Sequence, residues 1–220
     1  MAQTYKPSNT DGVQAPQQSR SQRTLNKILD AAETLLNDKS FQELTINDIV
    51  SEAGCSVGAF YGRFKDKDTL LHALDERLMH DLVTLIDTTI ADPKWQTATL
   101  AETVAGLVQM DIEFNTHRIG VMRTVILQAR LKPDPRFRER EARLNAAVPQ
   151  LISLILAHQD EINHPNPPLA AQLGFLQIHF TIRELLLWPH IRDAFPIPQD
   201  QFAAELTRMY LGYLGIPTIP

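Results

Sequence analysis

A single cysteine, Cys55, stands in the 220 residues, so no disulfide can form within the chain. No secretory signal and no apolar run of membrane-spanning length is present, and a cytoplasmic location without membrane attachment is expected. Basic residues are scarce: 21 Lys and Arg against 26 Asp and Glu give a formal charge of -5. Between residues 20 and 69 the balance is seven to eight. Phosphate neutralisation supplies most non-specific affinity for nucleic acid, so the balance weighs against a histone-like or architectural protein. The seven histidines are scattered, none four residues from another as a His-x-x-x-His metal pair requires. A glycine-rich phosphate loop is also missing. No metal, no cofactor and no catalytic residue is therefore expected, and the chain does not read as an enzyme. Strand-like alternation and internal repeats are absent too, which leaves an all-α chain.

What is present centres on residues 44–67, LTINDIVSEAGCSVGAFYGRFKDK. Thr45 is a good N-cap, followed by Ile46, Ile49, Val50 and Ala53 at helical spacing. Gly54 stops that helix, because glycine takes the left-handed backbone at little cost. Ser56 is a second N-cap, opening a short helix over Val57–Tyr61. Two short helices across a three-residue Gly-x-Ser elbow form the pattern of a helix-turn-helix. Upstream, Leu25, Ile28, Leu29, Ala32, Leu35 and Leu36 make one apolar stripe of a helix over 21–37, which packs on the short pair. Phe41, Leu44, Phe60 and Phe64 seal that three-helix core. Asp66 can cap a long fourth helix from Lys67 to about Ile90, a rigid lever into the rest of the chain.

The run AGCSVGAFYGRFKDKDTLL, with ILDAAETLL, Phe41 and the 45–50 helix before it, resembles the signature of the tetracycline-repressor (TetR) family of transcriptional regulators. The likeness covers about residues 24–72. Residues 1–19, polar with two prolines and a glycine, read from composition as a disordered arm. The likeness implies a helix-turn-helix DNA-binding domain over 20–70 and a helical ligand-binding and dimerisation domain over 71–220. It also implies a homodimer that pairs its last two helices, reads an inverted-repeat operator in double-stranded DNA, and is released by a small hydrophobic or amphipathic effector. Thr45 and Ser56 lie at helix starts, where backbone N–H groups and hydroxyls favour phosphate. Val57, Gly58 and Ala59 occupy the tip of the recognition helix, offering methyl contacts and close backbone approach rather than side-chain hydrogen bonds. By resemblance, Asn47 reaches a base edge, and Tyr61 and Lys67 bind phosphate. Arg63 stands where the family often has histidine. Three departures are visible: Ser40 replaces a usual glycine, which strains the backbone if a positive φ is still needed there; Val57 replaces a polar reader; and Gly62 removes a larger side chain.

From residue 98 onward the chain alternates apolar-rich helical stretches with loops. Those stretches are about 98–114, 119–131, a charged helix from Pro135 that turns apolar and is expected to kink at Pro149, 169–187 and 199–213. Phe114, Met122, Ile126, Phe175, Phe180 and Trp188 are candidates for lining an effector pocket, and each equally suits plain core. His179 and Arg183, one turn apart in an apolar helix, either orient a polar or anionic ligand group or are satisfied across the dimer interface. Asp111 and Glu113, two residues apart, do not share a helix face. Cys55 reads as a small core residue or as a redox switch. A second functional class also fits: a helical ligand-binding or protein-interaction module whose helix-turn-helix no longer binds DNA productively.

Overall fold

The computed structural model describes residues 15–131, 134–194 and 197–217. Residues 1–14 of the expected arm, and Pro133, lie outside them. The described residues form ten α-helices, two short 3-10 turns and no strand: α1 (Ala15–Asp38), α2 (Ile46–Glu52), α3 (Val57–Tyr61), α4 (Lys67–Ile90), α5 (Leu100–His117), α6 (Ile119–Leu131), α7 (Pro135–Leu156), α8 (Pro167–Leu187), α9 (Pro189–Ala194) and α10 (Gln199–Tyr213). The fold is all-α, with an N-terminal helix-turn-helix arrangement and a larger C-terminal set of helices. None of the described helices is long and apolar enough to cross a membrane. Two compact units divide the chain: residues 1–81 with 120–137, and 82–119 with 138–220.

In the first unit, α1 begins at Ala15, earlier than its apolar stripe implies, because the polar stretch before Ser21 continues the helix. The buried side chains include Ile28, Leu29, Ala31, Ala32 and Leu36 on α1, Phe41 and Leu44 in the loop, Ile49, Val50 and Ala53 on α2, and Phe60 on α3. Phe64 and the α4 residues Leu70, Leu71, Leu74, Leu78 and Met79 are buried as well. Ser40 carries no backbone strain, since no described non-glycine residue has a positive φ. Instead its hydroxyl donates to Glu43 at 2.7 Å and its N–H to the same carboxylate at 3.0 Å, a local turn that removes the need for glycine. Gly54 does take the left-handed backbone, with φ of 60°. The Cys55 N–H then reaches back to the Val50 carbonyl at 3.0 Å, closing α2 as a Schellman cap. Asp66 caps α4 through the Thr69 N–H at 2.8 Å.

Three contacts tie α6 and α4 to α1. Gly120 sits against the Leu36–Asn37 backbone so closely that a β-carbon would lie 2.6 Å from the Leu36 carbonyl. The Arg123 guanidinium donates to the Leu36 and Asn37 carbonyls at 3.2 and 3.3 Å, satisfying the open end of α1. On α4, Arg77 bridges Asp30 and Glu33 of α1, both at 2.7 Å.

In the second unit, α5, α8 and α10 pack on one another around a core that includes Val104, Leu107, Val108, Ile155, Phe175, Ile178, Ile182, Leu206 and Tyr210. Thr99 and Glu102 form a reciprocal capping box that starts α5. The Trp95 indole donates to the Thr89 carbonyl and packs so closely on Gly106 that a β-carbon there would meet the ring at 2.6 Å. Tyr210 of α10 likewise fills the notch at Gly174 of α8, its hydroxyl donating to the Ala171 carbonyl. Burial pushes that phenol above its ordinary range. Pro149 lies inside α7, and α9 occupies part of a stretch that reads as loop from sequence.

Candidate functional site

The elbow presents its candidate residues on the surface. Thr45, Asn47, Ser56, Val57, Gly58 and Tyr61 are exposed, Ala59 is half-buried, and Phe60 between them has no exposed surface. That split follows from the five-residue length of α3: one aromatic anchors it and the remaining faces point outward. Tyr61 is 54% exposed and stands edge-on to Phe60 at 5.6 Å, which fixes the ring while leaving its surface to solvent. Ser56 caps α3 by accepting from the Ala59 N–H at 3.1 Å. Its hydroxyl proton is still available as a donor.

Other candidates are engaged inside the first unit. Thr45 and Asp48 form a full capping box: the Thr45 N–H and hydroxyl both donate to Asp48, at 3.0 and 2.8 Å, and the Asp48 N–H returns to the hydroxyl. Lys39 sits 3.2 Å from the same carboxylate. Arg63 donates to the Ala59 carbonyl at 2.8 Å, closing the end of α3, and to the Ser21 carbonyl of α1 at 3.3 Å. Lys67 donates to loop carbonyls at Phe41 (2.8 Å) and Leu44 (2.6 Å). Cys55 is half-buried in the elbow.

The Thr45 hydroxyl, then its N–H, and then Lys39 hold the Asp48 carboxyl below its ordinary range. A depressed acid stabilises the folded state above the unfolded-chain value of about 3.9, and that contribution is lost as pH falls through the lower folded value. Replacing Asp48 by Asn is therefore expected to flatten the fall in thermal midpoint below about pH 4, leaving the neutral-pH slope unchanged. A titration monitored by far-UV circular dichroism that shows the same acid limb in both proteins would refute this.

The effector candidates separate between the units. Met122 and Ile126 belong to the first. Phe114, Phe175, His179, Arg183 and Trp188 belong to the second. There the structure joins His179 to two residues that spacing from Glu113 had obscured. The His179 Nδ1–H donates to both Asp111 oxygens, at 3.0 and 3.2 Å, and the Asn115 amide donates to Asp111 Oδ1 at 2.8 Å. Asp111 and Asn115 are four residues apart on α5 and so share a face, a signal that was readable in the sequence. Because a carboxylate only accepts, His179 presents Nε2 away from Asp111. Asn115 is fully buried and its side-chain oxygen has no hydrogen-bond partner among the described residues. The Phe175 ring lies parallel to His179, and the Arg183 guanidinium stands 4.7 Å above Phe180. The cluster can orient a polar ligand group, with aromatic surface on either side. No described group of three or more His, Cys, Asp or Glu could hold a metal ion.

Comparison with known proteins finds sequence matches for the head. Residues 28–74 match the model of bacterial regulatory proteins of the tetR family. The HTH-type transcriptional regulator YvdT of Bacillus subtilis is 40% identical over 53 residues, which make up 24% of this chain and 27% of that protein. The match thus spans about a quarter of that relative. A tetR-family regulatory protein from Rhodococcus RHA1 superposes with a TM-score of 0.67 at 18% identity, covering 89% of this chain and 98% of the other. AibR in complex with isovaleryl coenzyme A and operator DNA gives 0.63 at 17% identity, covering 84% and 97%. At these identities the structural matches establish the fold alone.

Proposed function

We propose that this chain, whose residues 28–74 match the tetR family of bacterial regulatory proteins, is a ligand-responsive repressor of that kind, binding an inverted-repeat operator as a homodimer. The observation that carries this reading is the division of labour in α3. Phe60 alone anchors the helix, while Val57, Gly58 and Tyr61 are left exposed with Ser56 at its start. A helix tip of that kind suits the major groove, with Val57 and Ala59 against thymine methyl groups and Gly58 allowing close backbone approach. Asn47 adds a base-edge contact, and Thr45, Ser56 and Tyr61 are set to face phosphates, with Arg63 and Lys67 beside them.

An exposed apolar stripe supports dimerisation. Leu169, Leu173 and Phe180 are exposed along one face of α8, and Met209 is 63% exposed on α10. Scattered apolar residues need no explanation, but a stripe at helical spacing on the last long helices fits a symmetric four-helix interface. The effector enters the second unit, where Phe114, Phe175 and Trp188 offer apolar surface and His179 with Arg183 meets its polar group; Met122 and Ile126, which belong to the first unit, are left out of that lining. Acyl coenzyme A thioesters are the first class to screen, since AibR was solved with one. The effector acts only through different affinity for the DNA-binding and released states. Engagement of Arg63 and Lys67 with carbonyls favours a second reading, a ligand-binding module with an unproductive head.

Selection of bound sequences from a random duplex pool at low salt decides between the two. The expected outcome is an inverted repeat whose half-sites lie about one helical turn apart, with Tyr61→Phe weakening binding by roughly 0.5–1.5 kcal/mol through the lost hydroxyl contact. No enrichment from a protein that light scattering finds dimeric would favour the second reading.

A further inference from the structure

We propose that Lys67 is a positioning residue that pins the start of α2 to the start of α4, and that it does not serve as a phosphate ligand. The inference rests on the DNA-binding reading above but reassigns one of its contacts. An ammonium group has three protons to give. The Lys67 Nζ stands 2.8 Å from the Phe41 carbonyl, 2.6 Å from that of Leu44 and 3.5 Å from that of Gln42, with the Phe41 ring 4.9 Å below it. The group is half-buried among them. Phe41 and Leu44 are themselves buried loop residues, so their carbonyls need a donor from within the protein. Lys67 provides it from 23 to 26 residues away in the chain.

The place where this pin holds matters for DNA. The Leu44 carbonyl belongs to the same peptide unit as the Thr45 N–H, which is locked in the capping box with Asp48. Fixing that peptide fixes the axis of α2, and with it Thr45 and Asn47. At the other end, Lys67 is the first residue of α4, one residue beyond the Asp66 cap. Any displacement of the first turn of α4 is therefore carried to the N-terminus of α2 through charge-assisted hydrogen bonds. A proton held by a carbonyl is not offered to a phosphate. Lys67 then contributes to affinity through geometry and adds nothing to counterion release.

Counterion release is measurable, and it separates the two roles. Binding of a labelled random-sequence duplex of about two helical turns is followed across a salt series for the wild type, Lys67→Met and Lys67→Arg. Methionine keeps most of the stem and removes the ammonium. Arginine keeps the charge, but its planar fork cannot converge on three carbonyls as a compact ammonium does. The expected result is about tenfold weaker binding by both variants at every salt concentration, with the log–log salt slope of the wild type retained. A slope shallower by about 0.9 in Lys67→Met, or affinity restored in Lys67→Arg, would identify a direct phosphate contact and overturn the proposal. Unchanged affinity in both variants would overturn it as well. Failure of the wild type to bind any duplex would instead count against the regulator reading. The pin is then judged in the free protein: amide exchange over residues 41–46 is expected to quicken in Lys67→Met, and exchange equal to wild type would refute it.

Discussion

Phe60→Ala is expected to cost about 3–5 kcal/mol and to abolish the proposed operator binding with it. The ring has no exposed surface, meets Phe64 at 5.3 Å and Tyr61 at 5.6 Å, and is the only buried side chain of α3. A helix of five residues has almost no stability of its own, since nucleation fixes several dihedrals for one hydrogen bond. Its position therefore depends on this one anchor. Total domain stability is only about 5–15 kcal/mol, so the loss removes a large fraction of it. For a chain of this length the thermal midpoint should fall by roughly 6–20 °C, at about 2–4 °C per kcal/mol. Phe60→Leu keeps most of the volume and should cost less than about 1.5 kcal/mol, retaining DNA binding. A Phe60→Ala protein that melts with the wild type would mean that α3 is held by something other than this ring.

The second large effect lies at Gly174. A β-carbon there would lie 2.1 Å from the edge of the Tyr210 ring, and that ring is held in place by its hydroxyl on the Ala171 carbonyl one turn earlier in α8. Neither partner can yield easily: the ring is buried among α5, α8 and α10, and moving it would strand a buried hydroxyl. Gly174→Leu should thus cost at least about 3 kcal/mol, at the upper end for overpacking, even though leucine is the better helix former by roughly 0.8 kcal/mol. Gly174→Ala already places its β-carbon 2.1 Å from the ring and should carry much of the same penalty. A double-mutant cycle with Tyr210→Leu is the check. Shrinking the ring should recover part of the Gly174→Ala penalty, giving a coupling of about 0.5–3 kcal/mol between the sites. Strict additivity would place the strain elsewhere.

Local signals were legible in the sequence where the physics is local. The caps Thr45, Ser56 and Asp66, the left-handed Gly54, and the spans of α4, α6 and α10 all follow from residues within a turn of the feature they set. Partners distant in the chain were not legible. Nothing near Lys67 announces that its acceptors are carbonyls more than twenty residues earlier, and nothing near Gly174 announces Tyr210. Ser40 shows the converse error: a strain expected from a missing glycine disappears because Glu43 supplies an alternative turn. Asp111 is an intermediate case. Its partner Asn115 was available at helical spacing, but pairing it with Glu113 tested the wrong interval, while the third member, His179, required α5 and α8 to be packed together.

The Trp95 clasp against Gly106 has an optical consequence. Both tryptophans, Trp95 and Trp188, fall in the second unit, and the first unit contains no indole among its residues. Excitation at the red edge of protein absorbance therefore illuminates only the unit proposed to receive the effector. Trp95, with its N–H given to a carbonyl and its six-membered ring against Gly106, should emit as a constrained fluorophore of narrow environment. The unmodified chain carries its own dye: emission tracks events around α5, while signals from a labelled duplex track the head, in a single cuvette and without crosstalk.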